Sequence, residues 1–420
     1  MSSSLDGSLR RRLAVTAACP LPGVLVRLSG ADVPYPTQFA LYGAAVIAAA
    51  FLLAWACETA QVDAPHGLVV AGAAFLATLP EFLIELHFAF TGQAEFVAAN
   101  LTGASRLLIG CAIALPAAVA LLRHRRFGPL SLPAPHRVEL AVLLLAATWS
   151  LRAIVSGRLT LLDAVVLISL YGVYVRRAAT SGGHAPVPTG TAEALSALPR
   201  RERRRWVAGT LAYAGVVLLL CAVPFGHSVL GIGAAVGISP FLLLQWIVPV
   251  ATELPELVLA CILLVHGRGG QSIAILLAGA VSQYTFALGT LPIAYEAGVA
   301  TGPLPLAGRE RVELLLTLGV ALYGVGALIG LRLSRGDSAI MLALFLGQLL
   351  VPATVTRLLF ALAFWAIALD VLAAERQQLP GLLRALRPAA APAAGRARSR
   401  SGPARRRSRA AVAGTRSRRP

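Results

Sequence analysis

The sequence predicts an all-α, polytopic membrane protein, an inverted 5+5 repeat of transmembrane helices plus one extra C-terminal helix. Three observations carry that prediction. First, 57% of the 420 residues are hydrophobic and only 13% are charged, and the mean hydropathy of +0.75 lies far above that of an ordinary water-soluble domain. Second, apolar runs of about 20 residues, enough to cross a roughly 30 Å hydrocarbon layer as helix, recur along most of the chain. They lack the alternation of barrel strands, and helices and closed barrels are the only folds that satisfy their backbone in lipid. Third, an unusual stretch occurs twice: ATLPEFLIEL at 77–86 returns as ATELPELVLA at 251–260.

The elements follow in order. Residues 1–37 place Arg10, Arg11 and Arg12 ahead of LAVTAACPLPGVLV, a run too short and proline-rich to count as a span, and read as a signal-like or re-entrant segment. The first repeat, 38–175, holds spans at 38–57, 66–90, 95–122, 138–155 and 159–175. A basic linker occupies 176–205. The second repeat, 206–351, holds spans at 206–224, 238–265, 271–295, 311–331 and 337–351, and the extra helix, 352–373, follows with its apolar run at 353–373. The tail, 374–420, is rich in Arg, Ala, Ser and Pro, cannot bury a core, and is expected to be disordered.

The net charge of +18 comes from arginine alone, because the chain has no lysine. The linker carries Arg176, Arg177, Arg200, Arg201, Arg203, Arg204 and Arg205, the 123–137 connection carries Arg123, Arg125, Arg126 and Arg137, and the tail carries many more. Positive charge stays on the cytoplasmic side. A multi-pass cell-membrane protein then has its linker and C-terminus inside, with its N-terminus and the loops near 91–95 and 225–228 outside. Arg10, Arg11 and Arg12 run against that assignment. The tail suits anionic lipid headgroups; no nucleic-acid partner is expected, since no aromatic residues interleave its arginines. Cys19, Cys57, Cys111, Cys221 and Cys261 show no paired spacing and read as small hydrophobic residues.

The echo extends beyond the repeated stretch. HRVELAVLLLAATWSLRAIVSGRLTLLDA in the first half answers ERVELLLTLGVALYGVGALIGLRLSRGDSA in the second. Five spans per half turn the second copy upside down relative to the first, as in secondary transporters whose substrate site lies at the midplane between halves. Proline frees a helical carbonyl near Ala77, a defect that lipid forbids and a water-filled cavity accepts. An ionised Glu81 or Glu256 in hydrocarbon costs at least a few kcal/mol, so both should face the interior and meet a cation or proton. Pro and Glu also favour a helix start at the membrane surface. Glu81, however, is the sixteenth residue of the run 66–90, and Glu256 lies past the middle of 238–265. With Thr78, Thr252 and freed carbonyls, the two carboxylates make an all-oxygen cluster of the kind hard cations require.

At these residues the sequence resembles the sodium/calcium exchanger membrane region of the calcium:cation antiporter superfamily. That family's hallmark in each repeat is Gly-Thr-Ser-Leu-Pro-Glu, followed on the next helix by Gly-Asn-x-x-Gly-Ser-Asn and an Asn or Asp three residues on. Leu79-Pro80-Glu81 and Leu254-Pro255-Glu256 keep the pattern, as does Thr252, while Thr78 replaces a Ser, Ala77 a Thr and Glu253 a Ser. Asn100, Gly103 and Gly279 fit the second motif, but Ala104 and Ala280 replace its serines, and Leu108 and Tyr284 stand where the Asn or Asp ligands belong.

The resemblance implies a secondary active antiporter, with no enzymatic activity and no cofactor other than its transported cation, exchanging Ca2+ for Na+ or H+ by alternating access. Glu81 and Glu256 would ligate the ion, aided by Thr78, Thr252, Asn100, Ser105 and Glu253, while Gly103 and Gly279 would let helices approach closely. Ser282 and Gln283 are further polar candidates. Glu85, one turn after Glu81, extends the site or carries protons. Arg106 points away from Ala104 and Leu108 and is expected to partner Glu85, Glu95 or backbone carbonyls. His87 lies on a different face from Glu85 and no span carries a His-x-x-x-His pair, which argues against zinc. The alternative is a non-transporting membrane scaffold that recruits partners or anionic lipid through its basic linker and tail.

Overall fold

The computed structural model describes residues 7–63, 75, 76, 78–123, 130–180, 188, 190–299, 302–351 and 353–387. The start of the second expected span, Ala77, and the tail beyond 387 lie outside them. Helices α1 (Gly7–Ala18) and α2 (Leu21–Ser29) precede the first half: α3 (Tyr35–Ala60), α4 (Leu79–Phe90), α5 (Ala94–Leu122), α6 (Arg137–Ser156) and α7 (Leu161–Thr180). A short α8 (Thr191–Ser196) leads into the second half. That half consists of α9 (Arg200–Val236), α10 (Pro240–Thr252), α11 (Leu254–Val265), α12 (Gly269–Ser282), α13 (Leu288–Val299), α14 (Gly308–Leu328) and α15 (Arg335–Leu350). A π-helical turn, Gln283–Ala287, joins α12 to α13. The extra helix is α16 (Thr354–Ala374), and α17 (Leu379–Arg384) follows it.

Eight described helical segments are long and apolar enough to cross a membrane, or nine with the bent pair α10–α11. The difference from eleven has local causes. Helix α4 is described only from Leu79, α7 carries Asp163, Arg176 and Arg177, and α15 has 16 residues. One of the eight, Gly7–Ser29, was not expected to span at all. Its prolines fall at the α1–α2 junction and in the first turn of α2, where a missing N–H costs nothing. The Tyr213 hydroxyl donates to the Ala17 carbonyl (2.6 Å), and the Cys19 thiol meets the Ala44 carbonyl (3.7 Å). Gly23 abuts Leu41. Gly7–Ser29 therefore runs antiparallel to α3, with Arg10, Arg11 and Arg12 toward the end of α3 that Asp63 follows.

Two further expectations change. The loop near 225–228 is part of α9, a 37-residue helix that begins in the arginines of the linker; Arg and Glu are good helix formers and extend it beyond the apolar run. The tail begins ordered rather than disordered. Leu382 is buried, and the Arg177 Nε donates to the Ala385 carbonyl (3.0 Å), so α17 docks on the helical bundle. At the foot of α3, Arg203 grips Asp63 with two hydrogen bonds (2.7 and 2.9 Å), while Arg200 and Arg204 stand 3.5 and 3.9 Å away. The hydrogen bonding from Arg203 holds the Asp63 carboxyl below its ordinary value against the opposing effect of burial.

Two short ladders reveal the symmetry. Strand β1 (Leu130–Ser131) pairs antiparallel with β4 (Arg332–Leu333), and β2 (Arg158–Leu159) with β3 (Leu304–Pro305). The registers Leu130↔Leu333 and Ser131↔Arg332 become Leu304↔Leu159 and Pro305↔Arg158 when the halves are exchanged by an offset of 174 residues. The same exchange turns the bond from the Leu132 N–H to the Leu331 carbonyl into that from Leu306 to Gly157, both 2.9 Å. Strands β1 and β2 flank α6, so the ladders lie at its opposite ends, about 30 Å apart at 1.5 Å per residue. A symmetry that swaps them exchanges the two ends of the molecule, which is the predicted inversion.

The core follows from this arrangement. Of the eight spanning segments α14 is the most enclosed, with 83% of its apolar stretch buried against 22% for α16 at the periphery. Helices α3 and α9, first in their halves, pack along each other, with Phe39 and Gly43 against the Phe225 ring, and lie beside α4, α10 and α11.

Candidate functional site

Both Pro-Glu segments begin helices inside the protein. Helices α10 and α11 meet at a 58° bend. Pro255 lacks an N–H and its ring obstructs the preceding turn, so the chain cannot run straight through. Glu253 ends one helix and caps the next with φ −86°, ψ 1°; Thr78, at the equivalent position of the first half, has φ −86°, ψ 3°. The first bond of each new helix is also matched, Phe82 to Thr78 (3.1 Å) and Leu257 to Glu253 (3.0 Å). A freed carbonyl near Ala77 lies outside the described residues; the second half breaks its helix outright, and the first repeats the cap geometry at Thr78. Glu81 and Glu256 each occupy the third position of a helix, where the positive end of the helix dipole favours a carboxylate.

The symmetry brings these acids together. Glu81 is fully buried beside Thr252 and Glu253, within charge range of Glu85 and Glu256. Glu253 in turn lies next to Gln283, which the π-helical turn presents inward; such turns recur where a helix must place a functional side chain. Glu85 accepts a hydrogen bond from the Asn100 Nδ2 (3.2 Å). The Thr252 hydroxyl, beside Glu81, donates to the Val248 carbonyl (2.8 Å), which uses its proton and leaves the oxygen free to accept or to ligate. No hydrogen-bond donor at good geometry meets either oxygen of Glu81 or Glu253, Oε2 of Glu85 or Glu256, or Oδ1 of Asn100. No arginine pairs with any of the four acids among the described residues. Buried, unbridged oxygens of this number demand a cation or protons. As placed, no three His, Cys, Asp or Glu side chains among the described residues form a closed metal cage.

The other expected site residues divide. Thr78 caps α4 and donates to the Phe75 carbonyl (3.1 Å). Ser105 is buried on α5, and no hydrogen bond or charge interaction joins it to the acids. A Cβ on Gly103 would overlap the Gln245 backbone carbonyl, so α5 and α10 meet there at the closest approach a glycine permits. At Gly279 a Cβ would lie 3.3 Å from the Leu108 side chain. Leu108 and Tyr284 bring no oxygen to the site; the Tyr284 hydroxyl donates to the Thr317 carbonyl (2.9 Å).

Arg106 has neither Glu85 nor Glu95 as partner. It pairs with Glu313 (2.8 Å), bonds the Thr102 carbonyl (3.0 Å), and stacks on Trp246. Arg357 of α16 pairs with the same Glu313 oxygen (3.0 Å), and Gln245 donates to it (2.9 Å). Two buried guanidiniums thus share one carboxylate, away from the four acids. Sequence reasoning missed this cluster because its members are scattered over α5, α10, α14 and α16. It also missed Glu58, half-buried in the last turns of α3 and within charge range of Glu256. Glu58 stands one residue beyond the expected span 38–57, and an acid there in register with the site was the available signal.

Comparison with known proteins agrees with this architecture. The family model described as sodium/calcium exchanger protein matches residues 35–178 and again 206–353. A search of curated proteins finds no match. Among solved structures, the H+/Ca2+ exchanger CAX is similar at a TM-score of 0.85 and 30% identity, over 90% of this chain and 98% of its own. The Ca2+/H+ antiporter protein YfkE aligns at 0.58 with 16% identity, over 85% of this chain and 99% of its own. The sodium-calcium exchanger NCX_Mj aligns at 0.53 with 17% identity, over 76% and 98%. At these last two identities the likeness is one of fold. Two matched copies of the family model over most of the chain, with a similar relative spanning nearly all of it, establish that this multi-pass membrane protein belongs to the sodium/calcium exchanger protein family.

Proposed function

We propose that the chain is a secondary antiporter that exchanges Ca2+ for protons at the cluster of Glu81, Glu85, Glu253 and Glu256. The carrying observation is the set of four buried carboxylates with unbridged oxygens and no arginine partner. Two of them neutralise a divalent ion, and Thr252, Asn100 and Gln283 add the neutral oxygens that a six- to eight-coordinate cation takes. When the ion leaves, protons are the simplest replacement, because carboxylates crowded in a dry interior cannot all stay ionised. Protons rather than sodium are favoured as counter-ion because Ala104, Ala280, Leu108 and Tyr284 remove neutral oxygens, while Glu253 adds an acid. The exchanger CAX, similar over most of the chain, supports the same choice.

Movement of the α3–α9 pair against the remaining helices would expose the acids to one face and then the other. The linker end, rich in arginine, is cytoplasmic in this reading. Since Gly7–Ser29 runs antiparallel to α3, the N-terminal arginines join that side, which reverses the sequence-based placement of the N-terminus.

The test is radiolabelled Ca2+ uptake into proteoliposomes under an imposed proton gradient. Glu81→Gln or Glu256→Gln should each abolish it. Uptake by both variants at the wild-type rate, or wild-type flux that follows a sodium gradient and ignores protons, would overturn the assignment.

A further inference from the structure

His87 and His227 stand 140 positions apart in sequence, yet their Nε2 atoms lie 3.0 Å from each other, with the rings nearly perpendicular at 82°. His87 belongs to α4, six residues beyond Glu81 in the helix that carries the first Pro-Glu segment; His227 projects from α9, the long helix that packs along α3. His227 is exposed and His87 half-buried at the protein surface. The Phe88 ring packs against His227 at 5.7 Å and restricts its orientation.

We propose that this pair is a binding site for a divalent transition-metal ion, with Zn2+ as the type case, that bridges α4 to α9. Two imidazole nitrogens bound to one tetrahedral zinc at about 2.0–2.1 Å are separated by roughly 3.4 Å. The two nitrogens therefore need to part by only a few tenths of an ångström, while the donor ring changes tautomer, its Nε2 proton being exchanged for one on Nδ1 so that both rings bind as neutral imidazoles. His87 lies in the last turn of α4, next to the loop that follows it, and water from that end completes the coordination. Imidazole selects zinc, cobalt or nickel over calcium, and the pair is therefore chemically distinct from the all-oxygen acid cluster. Spacing within one helix argued against a zinc site; the ligands come instead from two helices that the fold brings together. A bound ion would tie the helix bearing Glu81 to α9, one of the two helices that the transport cycle requires to move, and so lock the protein in one arrangement.

The experiment is calorimetric titration of tag-free, detergent-solubilised full-length protein with Zn2+, accompanied by thermal unfolding with and without the metal. One Zn2+ should bind per chain and raise Tm. His87→Gln and His227→Gln should each weaken binding at least about 10-fold and remove the Tm shift, and the double variant should lose no more than either single one, because a two-ligand bridge fails with either partner. A Glu81→Gln, Glu256→Gln variant should bind Zn2+ as the wild type does, so the result does not depend on the transport assignment. Wild-type protein that takes up no Zn2+, single variants that bind it unchanged, or loss of binding only in the acid variant would each refute the site.

Discussion

Among the described residues Glu313 is the single counter-charge for two guanidiniums that are essentially out of water, Arg106 and Arg357. A buried ion pair adds little net stability relative to apolar packing, yet removing one partner leaves the other uncompensated. Glu313→Gln should therefore lower unfolding stability by about 3–5 kcal/mol, measured by thermal unfolding in detergent. Glu139→Gln, the same change at the equivalent position of the first half, should cost far less. Among the described residues Glu139 pairs with His136, at 3.4 Å, and has no buried guanidinium to neutralise. The four clustered acids of the candidate site were conspicuous in sequence because each is a carboxylate inside an apolar run, and two of them came in a repeated Pro-Glu frame. Glu313 was written in an equally repeated frame, Arg-Val-Glu-Leu, but its partners come from three other helices and no spacing rule points to them.

At the scale of elements, the helices were legible and their interruptions less so. Hydropathy located nearly every apolar run, but it cannot distinguish a helix that tolerates proline from one that breaks at it. The difference rests on Glu253, whose backbone conformation closes one helix and opens the next. The ladder corners carry a sharper constraint. Gly157 turns with φ 68°, whereas its counterpart Leu331 adopts φ 58° despite its side chain, an uncommon conformation for such a residue. Gly157→Ala should cost about 1 kcal/mol or more, since the left-handed backbone is strained for alanine and the new Cβ meets the Arg311 guanidinium. Gly103→Val should cost about 1–3 kcal/mol from overpacking against the α10 backbone. Both are read from unfolding midpoints, and a neutral Gly103→Val would mean that α5 and α10 can separate freely.

For the molecule as a whole, sequence repetition was enough to derive an inverted pair of five-helix units, because an odd count of spans leaves no other orientation. The fate of the basic linker was hidden. Three of its arginines converge on Asp63 at the foot of α3, so much of that charge is used within the protein. Because Asp63 is held below its ordinary value when folded, its contribution is full above the unfolded carboxylate value near 3.9 and is lost as pH falls through the lower folded value. Thermal stability should therefore decline below about pH 4 in the wild type, and Asp63→Asn should remove that part of the decline. A variant with the wild-type acid profile would show the clamp to be inert. The two ladders have an ancestral consequence. Each draws one strand from either half in interchangeable register, so two separate copies of a single half-length chain, one inserted upside down, would satisfy every strand of both, and a gene encoding one half could have assembled as an antiparallel homodimer before any fusion joined the two.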